Sequence, residues 1–197
     1  NRQLPALAHT VGVPKVEVLA KRVAEIHPNC RVNRVIEFLT ESNADRLLDG
    51  GFDYVVDAID RTSIKALIIA KCVQRGLPVI TSGSAGGRRD ATAVKLTDLG
   101  FAGADMLLKG TRQNLRRDFG FAKSMEGRPM AFGVPCVFST ERAIYPQADG
   151  TCKLEPQEGT EAGLRLDCAA GFGAATFVTG TFGFVLAGEV VRHLSGV

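Results

Sequence analysis

The chain has 197 residues, 45% of them hydrophobic and 23% charged, with 22 Gly and no Trp. Such fractions belong to a globular domain and exclude a collagen, a charged disordered tail and a disulfide miniprotein, and the length suffices for one domain with a substantial core. Twenty-four basic against 21 acidic residues leave a net charge of +3, too weak to prove a nucleic-acid partner and too positive for an acidic scaffold.

The first residues, NRQLPALAHTVG, lack the apolar stretch and cleavage site of a secretory signal. Positions 13–26 carry apolar residues at 16, 19, 20 and 23, the stripe of a helix, with Pro14 suited to its first turn. His27-Pro28 stops it. CRVNRVIEFL (30–39) reads as a strand of mixed exposure, and SNADRLLDGG (42–51) as a short helix with Ser42 or Asn43 as cap. DYVVDAID (53–60) has the compact apolar run of a buried parallel strand. A helix over 62–76, closed by Gly76, and a second buried strand, LPVITSG (77–83), complete a βαβ unit. Strands are expected at 93–99 and 136–146, a helix with a basic surface at 104–119, and a polar loop at 146–163.

From Cys168 to Gly188 there are twenty-one residues without a charge. That length reaches the roughly 20 residues of a membrane span. Five glycines and three threonines, with Glu189, Arg192 and His193 following at once, favour instead a helix buried in the core or across a dimer interface. On that reading, small residues at 171, 175, 179 and 183 mark the closest approach, and Glu189 and Arg192 face solvent or a partner.

Five cysteines (30, 72, 136, 152 and 168) and three scattered histidines form neither C-x-x-C pairs nor H-E-x-x-H. Neither a disulfide framework nor a zinc ribbon is signalled, and a reducing compartment, cytoplasm or mitochondrion, fits better than an oxidising one. Cys72 falls on the apolar side of its helix, whereas Cys136 and Cys168 stand near element ends where they could be exposed.

Asp57 and Asp60 fall at the carboxyl end of the strand over 53–60, the edge at which open α/β sheets bind ligands. A carboxylate there can hold magnesium beside nucleotide phosphates, or it can simply cap the helix that begins near Thr62. Arg2 and Lys15 flank a Gly-Val-Pro helix start and could neutralise phosphate or stand solvated. GSAGG (83–87) is a turn permitting close backbone approach rather than a G-x-G-x-x-G cradle. Positions 109–128 hold six basic and two acidic residues, a local charge of +4 in a chain whose remainder nets −1. Lys109, Arg112, Arg116 and Arg117 are spaced to share one helix face, either a footprint for a phosphate backbone or a solvated surface.

NRQ at 1–3, VGVPKVEV at 11–18, DYVVDAID at 53–60, VFSTE at 137–141, YPQADG at 145–150 and DCAAGFGAATFVTGTFGF at 167–184 carry a longer signal. Together they resemble the tRNA threonylcarbamoyladenosine dehydratases, a branch of the ubiquitin-activating-enzyme-like adenylating family, from residue 1 to about residue 194. The resemblance implies a Rossmann-like α/β fold, a largely parallel sheet with helices on both faces, and a homodimer. Residues 1–197 would be one adenylating-enzyme-like domain, the C-terminal majority of the family domain. Family members open with a strand, a G-x-G-G-x-G-type loop and an acidic residue that holds ribose, and this chain starts after all of these, a truncation at the N-terminus.

By motif, Arg2 and Lys15 match the family's ATP-phosphate residues and Asp60 its magnesium-associated aspartate. The resemblance implies ATP-dependent, cyclising dehydration of threonylcarbamoyladenosine in tRNA through an acyl-adenylate, with magnesium beside ATP and the 109–117 stripe on tRNA. It implies no zinc, because the paired C-x-x-C ligands usual in sulfur-carrier-activating relatives are absent. A scaffold subunit that keeps the fold without turnover, and activation of a ubiquitin-like or sulfur-carrier protein, are the alternatives.

Overall fold

The computed structural model describes residues 5–147, 149–154 and 173–196; Arg2 and Cys168 lie outside them. Eleven α-helices and strands are present among the described residues: α1 (Lys15–Ile26), α2 (Ala44–Leu48), β1 (Val55–Asp57), α3 (Thr62–Gln74), β2 (Val79–Ser82), β3 (Val94–Asp98), α4 (Met106–Asp118), β4 (Pro135–Ser139), β5 (Tyr145–Pro146), β6 (Cys152–Lys153) and α5 (Thr176–Ser195). The main sheet has the order β1-β2-β4-β3. Strands β1, β2 and β4 run parallel, and β3 closes one edge antiparallel to β4. β5 and β6 form a separate small antiparallel ribbon.

Alternation along the central strands sorts the core into two layers. Val79, Cys136 and Phe138 join Ala66, Ile69 and Cys72 of α3 and Leu108 and Leu115 of α4 on one face. Ile80 and Val137 turn to the other, where Val178, Phe182 and Leu186 of α5 cover them. Helices thus flank both faces, as a mostly parallel sheet requires. Each buried Val, Leu, Ile or Phe among them contributes about 1.5–3 kcal/mol of transfer free energy. α3 and α4 also pack on each other, and a Cβ built on Gly110 of α4 would stand 2.9 Å from the Thr62 Cγ2 of α3. Glycine there sets how closely the two helices approach.

The expected strand at 30–39 is not formed. Phe38 at 93% and Ile36 at 64% stay exposed, and only Leu39 at its end packs half-buried against the core. A strand needs a neighbour for its backbone groups, and here the polar positions take local partners instead. Arg34 pairs with Glu17 of α1 at 2.7 Å, and Glu37 accepts from Arg46 at 2.7 Å and from Asn43 at 2.9 Å. Asn43 stands at the cap position of α2, yet its side-chain oxygen accepts from the Thr40 amide rather than from the helix. β1 is an edge strand, so Val56 is half-exposed where a fully buried strand was expected. α1 forms over the expected stretch with Pro14 just ahead of it, and none of its residues is buried.

The uncharged C-terminal run folds as α5 from Thr176 onward, and among the described residues no helix is long and apolar enough to cross a membrane. Its inner face is Val178, Phe182, Leu186 and Glu189. Gly183 lies on the side of α5 turned away from the sheet, and position 171 is outside the described residues. Glu189 is 7% exposed rather than facing solvent, since Arg192, one turn on, donates to it at 2.9 Å. The Tyr54 ring meets the His193 ring edge-on at 4.8 Å beside this pair. Burial raises the Tyr54 pKa, with a further push from Glu189.

The Arg192 guanidinium holds the Glu189 carboxyl below its ordinary value. A carboxylate depressed on folding adds stability above its unfolded pKa and loses it as pH falls through the folded one. Glu189→Gln should therefore lower the melting temperature by a few degrees at neutral pH. The gap to wild type should close in acid, and a thermal melt series against pH measures it.

Candidate active site

Because β1, β2 and β4 are parallel and in register, Asp57, Ser82 and Ser139 end on the same edge of the sheet. The segments 58–61, 83–90 and 140–144 leave from that edge, and so does the start of α3. Asp57 is 1% exposed and Lys65, one turn into α3, is fully buried. Lys65 Nζ donates to Asp57 Oδ2 at 2.8 Å and to Thr81 Oγ1 at 3.0 Å, while Thr81 Oγ1 donates to Asp57 Oδ2 at 2.7 Å. The other carboxylate oxygen, Oδ1, accepts from the Ile59 amide at 3.0 Å. Asp57 thereby folds the chain sharply after β1 and leaves Asp60 exposed on the following loop.

Asp60 makes no hydrogen bond or ion pair among the described residues, and it does not cap α3. Arg61 occupies the cap position with no side-chain cap bond. The capping role open to Asp60 in the sequence is therefore not the one it fills. Lys15 opens α1, exposed. No hydrogen bond or ion pair joins Lys15 to Asp60, and Arg2 lies outside the described residues.

The glycine turn after β2 is held by an arginine that sequence reasoning did not single out. Arg88 is 3% exposed. Its guanidinium donates to the carbonyls of Ser84, of Ala104 (3.1 Å) and of Glu141 (3.3 Å), and to Asp105 Oδ2 at 3.2 Å. Asp105 caps α4 by accepting from the Leu108 amide at 2.9 Å, and its second oxygen accepts from the Ser84 amide at 2.8 Å. A Cβ on Gly83 would stand 2.5 Å from that oxygen, so the close approach expected of this turn is made to the Asp105 carboxylate. Ala104, ahead of the cap, adopts φ +50°, a left-handed conformation that its carbonyl's bond to Arg88 helps hold. No local pattern marks Arg88, because three of its partners, Ala104, Asp105 and Glu141, lie far from it in the chain.

The basic stripe on α4 is divided in its duties. Arg112 donates to the carbonyls of Leu99 and Ala102, and its burial lowers its pKa. Arg116 donates to the Ala122 carbonyl at 3.1 Å and lies over the Phe132 ring at 5.3 Å. Arg117 is exposed and pairs with its neighbour Asp118. The Lys109 side chain is exposed and has no partner among the described residues. Cys136, which its place near an element end left open to exposure, is fully buried in the core; the central position of β4 buries it, and desolvation pushes its thiol pKa far upward. Cys72 is core as expected, its pKa raised to about 11 by burial. Neither is a reactive thiolate.

A cleft of about 520 Å³ opens along this edge beside the start of α4, walled by Ser84, Met106, Leu107, Lys109, Arg142 and Leu154 among others. Among the described residues no group of three or more His, Cys, Asp or Glu side chains could hold a metal ion unaided. What the edge offers is one free carboxylate, a rigid turn and several cations.

Removing the buried cation isolates this edge's support. Lys65→Met leaves the Asp57 charge buried without its partner, a loss of about 3–5 kcal/mol. The further change Asp57→Leu should recover part of it, because the unpaired charge is then gone as well. Urea unfolding of the two variants measures both effects.

Comparison with known proteins places these features. A model of the ThiF family matches residues 1–197. The chain is 44% identical, over 98% of its length and 71% of the relative's, to a tRNA threonylcarbamoyladenosine dehydratase of Escherichia coli (strain K12). It is 40% identical to the dehydratase of the same description from Haemophilus influenzae, over 98% of this chain and 70% of that one. A crystal structure of the E. coli tRNA N6-threonylcarbamoyladenosine dehydratase in complex with ATP superposes with a TM-score of 0.82 at 39% identity, covering 100% of this chain and 70% of the other.

Proposed function

We propose that this chain, which belongs to the ThiF family, is an ATP-dependent tRNA threonylcarbamoyladenosine dehydratase. The observation that carries this reading is a likeness, extending over the whole chain, to a dehydratase solved in complex with ATP. Asp60 is free at the carboxyl edge of the parallel strands, where such sheets bind ligands.

The chemistry is the exchange of a poor leaving group for a good one. The threonylcarbamoyl carboxylate attacks the α-phosphorus of ATP, the bond to the β-phosphate oxygen breaks, and pyrophosphate leaves. A nucleophile within the same side chain then closes on the acyl carbon, loses its proton, and AMP departs carrying the carboxylate oxygen. The tRNA has lost the elements of water. Arg2 and Lys15 are assigned to the phosphates, where fixed cations offset the charge that develops in transfer. A side chain held near its own acyl carbon gains by proximity, so no protein nucleophile is needed.

Asp60 suits magnesium as a hard oxygen donor with no competing partner, and a single carboxylate fits an ion that keeps waters and phosphate oxygens as its other ligands. Bound there, magnesium would neutralise charge on the ATP phosphates. The α4 stripe is assigned to tRNA, with Lys109 presenting an unpaired cation and Arg117 an exposed one that a phosphate would take over from Asp118, while Arg112 and Arg116 brace neighbouring carbonyls. The active species is assigned as a homodimer.

Asp60→Ala should cut AMP formation by roughly 10²–10³-fold while leaving the melting temperature unchanged, since the side chain is exposed and unbonded. Equal AMP release would remove the assignment. Lys109→Ala together with Arg117→Ala should flatten the dependence of tRNA affinity on salt by roughly two units, about one for each phosphate left without its cation. An unchanged slope would leave the stripe as a solvated face.

A further inference from the structure

We propose that the cleft beside the N-terminus of α4 binds a nucleotide of the tRNA, its base against an apolar wall and its phosphate between Lys109 and Arg142. The inference rests on the dehydratase reading and adds to it a place for the RNA next to the reacting edge.

The cleft, about 520 Å³ in volume, falls in the range of cavities that enclose small ligands. Met106, Leu107, Ala143 and Leu154 supply apolar lining. Four cations also line it, and they are not equivalent. Arg88 and Arg112 are occupied by carbonyls and, for Arg88, by Asp105. The side chains of Lys109 and Arg142 are exposed and have no hydrogen-bond or ion-pair partner among the described residues. They reach the cleft from separate elements, α4 and the segment that follows β4. Two unspent cations over an apolar wall ask for a ligand with an anionic group and an apolar face, which a nucleotide is.

Single-stranded loops are where RNA offers such units, with bases unstacked and free to pack against side chains. The position agrees, because Arg142 leaves the same sheet edge as Asp60. ATP is a weaker candidate for this cleft, since neither Asp60 nor Lys15 lines it. The floor is rigid: Arg88 and Asp105 lock the 83–88 turn to the head of α4, so little ordering is needed when a ligand enters.

The test measures binding of an anticodon stem-loop RNA carrying the threonylcarbamoyl group, by fluorescence anisotropy over a range of salt, with ATP affinity measured in parallel. Arg142→Glu should weaken RNA binding by about tenfold or more and lower the salt slope by roughly one unit. Leu154→Glu, on the apolar wall, should also weaken it. Lys21→Glu, a charge reversal on exposed α1 away from the cleft, should change it less than about twofold, and ATP affinity should hold in all three. Wild-type binding that Arg142→Glu and Leu154→Glu leave no weaker than Lys21→Glu overturns the cleft assignment alone. A fall in ATP affinity without loss of RNA binding overturns it too, by giving the cleft to ATP. A wild-type protein that bound no such RNA would overturn the dehydratase reading itself.

Discussion

Lys65 and Asp57 bury opposite charges against each other, with the Thr81 hydroxyl closing the triangle. Both side chains are inaccessible to solvent. Such a pair offsets its desolvation only where every donor and acceptor is matched, and among the described residues no buried side-chain nitrogen or oxygen lacks a partner. The triangle fastens three elements at one level: the end of β1, the first turn of α3 and the end of β2. A hydrophobic contact could have held them together as strongly. It would not have fixed the direction in which the chain leaves β1, which the Ile59 amide bonded to Asp57 does.

A second buried cation does for the neighbouring strands what Lys65 does for β1. Arg88 gathers carbonyls from the turn after β2, the residue before the α4 cap and the segment after β4. Three loops that would otherwise move independently become one surface. That surface and the β1 loop together form the carboxyl edge, and the two structural cations lie beneath it while Lys109 and Arg142 stand free above. The division of labour follows from burial. A buried guanidinium must spend its donors on the protein, and an exposed ammonium keeps its charge for a ligand.

Much of this fold was legible along the chain. Apolar runs at 53–60 and 77–83 around a helical pattern gave β1, α3 and β2 near their observed places, and the basic helical pattern at 104–119 gave α4. The segment 30–39 misled because its composition suits a strand and no strand among the described residues pairs with it. Glu189 misled for a related reason. Helical spacing puts it in line with Val178, Phe182 and Leu186, and only the nearby Arg192 makes that burial tolerable. For the site, Asp60 was visible as the last residue of an acidic strand end, and the basic excess of 109–128 was visible as a count.

The sequence by itself determined the βαβ order, the position of the carboxyl edge and, through its long motif strings, the family. These are properties of local periodicity and of residues near one another in the chain. Only the tertiary structure decided which charges are structural and which are free. Nothing in the sequence sets Lys65 and Arg88 apart until their burial beneath the edge is seen, and Arg112 reads as equal to Lys109 until its guanidinium is found on the Ala102 carbonyl. The difference lies in desolvation and in partners many residues away, and neither is written in the order of the amino acids.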